Sequence, residues 1–125
     1  MQTPYLTGRL RSFGHAFRGL KVLVQTQPNA RIHALATLLV LAGGWLLRIS
    51  PAEWALIALT IACVWAAEAM NTAIEFVVDL VSPDHHPLAA KAKDVAAGAV
   101  LLTAIGAAVV GGIVFGPYVL RLFAR

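Results

Sequence analysis

Cysteine is almost absent from this 125-residue chain. Cys63 stands alone inside an apolar run, so no disulfide framework can form within the chain and the redox compartment is not marked. Acidic side chains are nearly as scarce, with six Asp and Glu against ten Lys and Arg. Only 13% of the residues are charged while 59% are hydrophobic, and the mean hydropathy is +0.76. That balance argues against a soluble globule. It also makes membrane topology a better explanation of the net charge of +4 than nucleic-acid binding. Missing too are a Gly-rich phosphate loop, the protein-kinase signatures, a GxGxxG turn and a Ser-His-Asp order, so nucleotide chemistry would need another scaffold. The first thirty residues hold no uninterrupted apolar core, and no cleavable signal peptide is expected.

The few acids present are not scattered. Glu68 to Asp79 reads E-A-M-N-T-A-I-E-F-V-V-D, directly after fourteen uncharged residues from Trp54 to Ala67. On a helix at 100° per residue, Glu68, Asn71, Glu75 and Asp79 fall at about 0°, 300°, 340° and 20°. Three carboxylates and an amide thus share one narrow face of an otherwise apolar helix. A carboxylate in hydrocarbon costs several kcal/mol unless it has a partner, a metal or water. Repeating that cost on one face suggests a site. The same face could instead lock a helix bundle through interhelical hydrogen bonds.

The rest of the chain supplies an all-α integral-membrane frame in one domain. Leu6, Leu10, Phe13, Phe17, Leu20 and Val24 alternate at spacings of four and three and occupy about 80° of arc, predicting an amphipathic helix over 4–25. Arg11, His15, Arg18 and Lys21 fill its other side, which suits a membrane surface. Three membrane helices are expected at about 30–49, 52–81 and 89–120. The first carries only His33 as an ionisable group between Arg31 and Arg48. Ser50 and Pro51 are placed as N-cap and first helical residue of the second. The third has 26 uncharged residues from Val95 to Leu120 and a small-residue series at Ala104, Ala108 and Gly112. Gly116-Pro117 is expected to kink or end it. The loop S-P-D-H-H-P from Ser82 to Pro87 has adjacent histidines that point to different sides, so no zinc site is expected there.

Arg9, Arg11, Arg18, Lys21, Arg31, Lys91 and Lys93 gather on one side of this topology, against Arg48, Arg121 and Arg125 on the other. The imbalance puts the N-terminus in the cytoplasm. The exit of the acidic stripe and the cluster Lys91-Ala92-Lys93-Asp94 then meet at the inner leaflet. Carboxylates there can hold Mg²⁺, which keeps water and substrate phosphates in its shell. A carboxylate deeper in hydrocarbon, such as Glu68, is a better base toward an alcohol proton.

The stripe E-A-M-N-T-A-I-E-F-V-V-D, with K-A-K-D-V-A-A-G-A-V about a dozen residues on, resembles the bacterial integral-membrane diacylglycerol kinase and undecaprenol kinase family. The likeness extends from S-F-G-H-A-F-R-G-L (Ser12 to Leu20) through N-A-R-I-H (Asn29 to His33) to Gly112. It implies a homotrimer in the bacterial cytoplasmic membrane, with sites shared between neighbouring subunits. It also implies transfer of the ATP γ-phosphate to a lipid hydroxyl, with Mg²⁺ as cofactor. Glu68 matches the general base and Asn71 the polar residue beside it. Glu75 matches a carboxylate on the nucleotide-associated Mg²⁺, and Lys93 and Asp94 match a nucleotide-binding pair. Asp84, His86 and His15 stand where the family meets the nucleotide. R-I-H and Glu53-Trp54 look more like the undecaprenol branch.

One position departs from the pattern. The family usually has a glutamate six residues before His33, acting on the metal with the Glu75 equivalent; here it is Gln27. An amide oxygen still coordinates but brings no charge, so Mg²⁺-ATP should bind more weakly. A kinase-like protein with reduced catalysis is therefore one alternative, and a small proton- or cation-coupled transporter built on Glu68 is another.

Overall fold

The computed structural model of the chain describes residues 4–124, with side chains from residue 8 onward. Leu6 of the amphipathic face and Arg125 of the topology count lie outside the side chains described. Four helices follow one another: α1 Pro4–Thr26, α2 Pro28–Leu47, α3 Pro51–Val81 and α4 Pro87–Phe123. Three of them, α2, α3 and α4, are long and apolar enough to cross a membrane. At 1.5 Å per residue α3 is about 46 Å long and α4 about 55 Å, beyond a ~30 Å hydrocarbon core.

Each break in the helices has a local cause. Pro28, Pro51 and Pro87 each stand in the first turn of a helix, where a missing N–H is tolerated. Arg48 stops α2 in the left-handed region (φ 54°, ψ 50°), and Ile49 N–H turns back to Gly44 O at 3.2 Å. The helix ends at Leu47, so the 30–49 expected from sequence runs two residues too far. Ser50 caps α3 as expected: its Oγ accepts from Glu53 N–H at 3.3 Å, while its own N–H donates to Glu53 Oε2 at 2.7 Å. Helix α4 passes Pro117 and continues to Phe123.

The most extensive contact in the chain joins α3 and α4; α2 lies mainly on α3. An apolar cluster of Ile49, Ile57 and Val114 holds the end where α2 turns into α3, with Trp54, Phe115 and Tyr118 around it. Gly44 is required there. A Cβ on it would lie 2.7 Å from Trp54 Cη2 and 3.1 Å from Ile49 Cδ1. Tyr118 OH donates to Glu53 Oε2 at 2.8 Å, tying the start of α3 to the end of α4. Most large apolar side chains on the helices stay exposed, including Leu38, Leu59, Leu102 and Ile113. Such surfaces are stable only against lipid or other protein.

Candidate functional site

Polar groups collect at the opposite end of the bundle. Among the described residues Glu68, Asn71 and Thr72 are the polar side chains classed as buried, all on consecutive turns of α3. Glu68 is 1% exposed, the most deeply enclosed large side chain described. Its Oε2 has no hydrogen-bond partner, and neither has Asn71 Oδ1. A buried acceptor left unpaired costs about 1–3 kcal/mol, more when charged. His33 of α2 comes nearest, its Nε2 3.9 Å from Glu68 Oε2.

One turn beyond Asn71, Glu75 is held at both oxygens. Asn71 Nδ2 donates to Oε1 at 2.9 Å, and Gln27 Nε2 donates to Oε2 at 3.3 Å. Gln27 stands between α1 and α2, in extended conformation (φ −105°, ψ 116°), which aims its side chain across at α3. Arg31 fixes that junction by donating to Val24 O and Gln25 O at 3.0 and 2.6 Å. No group of three or more His, Cys, Asp or Glu able to hold a metal occurs among the described residues. The oxygens at Glu75 still suit Mg²⁺. Half a turn of either amide presents oxygen instead of nitrogen, and such orientations are interchangeable. One carboxylate and two amide oxygens make a partial shell of the kind that substrate phosphates and water complete.

A second group lies further along the same face of α3, at the α3–α4 loop. Lys93 Nζ of α4 donates to Asp79 Oδ1 at 2.5 Å, with side chains 39% and 64% exposed. Asp84, His85 and His86 complete a cleft of about 340 Å³ around this pair. His86 also caps α4, its Nδ1 accepting from Leu88 N–H at 3.1 Å. Asp94 is exposed and lies outside both groups, since one residue beyond Lys93 turns it by about 100°. His15 is on the exposed surface of α1, 2.6 Å from Arg18, and lines neither polar cleft.

Two further cavities flank His33. An apolar one of about 330 Å³ lies between α2, α3 and α4, lined by Val40, Ile57, Ile61 and Val64 among others. A more polar one of about 290 Å³ contains Asn29, Asn71 and Glu75. His33 lines both. In the sequence His33 stood out only as the lone ionisable residue of an apolar run, and nothing there linked it to Glu68, 35 positions on.

Comparison with known proteins bears on the chain as a whole. Residues 14–115 match the model of the prokaryotic diacylglycerol kinase family. The chain is 44% identical over 107 residues to the undecaprenol kinase of Bacillus subtilis (strain 168), covering 86% of this chain and 87% of that protein. It is 45% identical over 114 residues to a diacylglycerol kinase of Synechocystis sp., covering 90% of this chain and 65% of that protein. The Escherichia coli (strain K12) diacylglycerol kinase is 28% identical over 107 residues, 86% of this chain and 88% of that one. A family match over most of the chain, relatives named as lipid kinases, and an all-helical fold with three apolar helices lead to one conclusion: this multi-pass membrane protein belongs to the prokaryotic diacylglycerol kinase family and is an ATP-dependent lipid kinase.

Proposed function

We propose that the chain phosphorylates a lipid alcohol of the undecaprenol type at the inner leaflet of the bacterial cytoplasmic membrane, as a homotrimer with its N-terminus in the cytoplasm. The observation that carries this reading is the unpartnered, buried Glu68 Oε2. An acceptor oxygen of this kind supports a role as the base for an alcohol arriving from lipid. The alcohol O–H gives its proton to Glu68 as its oxygen attacks the γ-phosphorus, and the bond from that phosphorus to the β-phosphate oxygen breaks to release ADP. Asn71 and Glu75 orient the phosphates on the polar side, and Lys93 binds them from the start of α4. Lys93 must release Asp79 to do so, a small cost for an exposed pair. Asp84 and His86 border the same cleft and meet the nucleotide there. Asp94 and His15, exposed in the single chain, reach nucleotide only where a neighbouring subunit completes the site. Mg²⁺, held by Glu75 with the Gln27 amide oxygen, supplies charge neutralisation on the phosphates when bound.

The basic residues at the α1–α2 and α3–α4 end, Arg31, Lys91 and Lys93 among them, support a cytoplasmic site. The exposed Leu10, Phe13 and Phe17 of α1 support its lying in the membrane surface. Thin-layer analysis of parallel reactions with labelled ATP and either undecaprenol or diacylglycerol tests the acceptor. Preferential labelling of undecaprenol is expected. Faster labelling of diacylglycerol would reassign the acceptor, and no lipid label from either would overturn the whole reading.

A further inference from the structure

A base enclosed as fully as Glu68 raises a difficulty. It takes one proton from the lipid per turnover and must lose it before the next. With the residue 1% exposed, water has almost no access to it. The surrounding elements offer few ways out. Helix α4 contributes Ala97, Val100, Leu101 and Ala104 to the adjoining cleft, none titratable. On α3 itself the neighbouring acid is Glu75, both of whose oxygens are engaged by amides. Arg31 of α2 is turned away to carbonyls of α1. His33 remains: 3.9 Å from Glu68 Oε2, 18% exposed at its side chain, and lining the polar cleft as well as the apolar cavity.

We infer that His33 is the positioning and proton-exit residue of this site, resting on the lipid-kinase reading above. After the alcohol proton reaches Glu68 Oε2, closing the gap by about 1 Å makes a hydrogen bond to His33 Nε2. The proton passes from Glu68 to Nε2 while Nδ1–H releases one to water in the polar cleft. Glu68 is again a carboxylate, the imidazole is again neutral in its other tautomer, and one proton has left per phosphoryl group transferred. Ring rotation or water exchange restores the starting tautomer. The same contact keeps Glu68 aimed into the site between turnovers.

The test uses the full-length protein in detergent with labelled ATP and undecaprenol, comparing the parent, His33→Gln and His33→Ala, each with and without added imidazole. Glutamine preserves a polar contact to Glu68 but cannot relay a proton. His33→Gln should lower kcat about 100-fold with both KM values within about twofold of the parent. In His33→Ala the vacated space joins both cavities, and imidazole should restore kcat about tenfold or more while leaving the parent unchanged. Parent-like kcat in His33→Gln would overturn the inference, as would His33→Ala that imidazole does not rescue. If His33→Ala fails to fold, the kcat of His33→Gln decides alone. A parent that labels no lipid at all would remove the kinase reading itself, which the parent reaction reveals separately.

Discussion

Gln27 is the residue whose chemistry departs most from its surroundings. Its amide donates to Glu75, so the pair is neutral-to-anionic and stable without a cation. Gln27→Glu would set two carboxylates face to face, which is unfavourable until a cation joins them. The variant should therefore melt lower than the parent in chelator, gain more melting temperature on adding Mg²⁺, and show a several-fold lower KM for Mg²⁺-ATP. Matched assays at limiting and saturating Mg²⁺ check this; no gain in either would take Gln27 out of the metal shell. At Asn71, replacement by Leu removes one of the two donors to Glu75. It should destabilise by about 1–3 kcal/mol and raise the KM for ATP more than it lowers kcat, measured by denaturation and initial rates. The alignment of Glu68, Asn71 and Glu75 was readable from 3.6-residue periodicity, because that depends only on local geometry. Which partners they meet was not. Gln27 reaches Glu75 across 48 positions, and His33 in an apolar run has the same local signature as an ordinary packed histidine.

At the level of elements, the apolar cluster packs at the α2–α3 turn and the polar cleft lies away from it. Gly44→Ala would drive a methyl group against the Trp54 ring and Ile49. A loss of about 1–3 kcal/mol is expected, recovered in part when Trp54→Leu makes room, by a thermal-denaturation double-mutant cycle. Kinase activity per folded molecule should change little, since the contact lies at the other end of α3 from Glu75. The helix starts were legible because proline and serine announce them; Ser50, Pro51 and Glu53 do so together. The end of α2 was less so. A left-handed stop is normally a glycine signal, and an arginine in that conformation at position 48 gives no compositional cue. Pro117 does not end α4, since a proline near a helix end removes a hydrogen bond without forcing the chain to leave the helix.

For the whole molecule, the exposed apolar faces of α2 and α4 require a surrounding that one chain cannot supply. Lipid serves for most of it. The face bearing Ala108 and Gly112 is open in the single chain, with nothing within 4 Å of a Cβ placed on Gly112. Gly112→Leu should therefore leave the chain's own packing intact. In the proposed trimer, subunit packing along this face predicts that sedimentation in detergent shifts to smaller species; an unchanged oligomer assigns the contact to another face. Hydropathy made three crossings legible, because twenty apolar residues in a row have few other uses. Assembly was not legible in composition, since lipid-facing and subunit-facing surfaces are equally apolar.

The account depends above all on the enclosed carboxylate of α3 acting as the base for phosphoryl transfer to lipid. The direct measurement is label transfer from γ-labelled ATP to undecaprenol in micelles by the parent and by Glu68→Gln, with ATP binding measured on both. Glu68→Gln should bind ATP like the parent and transfer label at least about 100-fold more slowly. A variant that still labels lipid within about twofold of the parent rate would contradict the account.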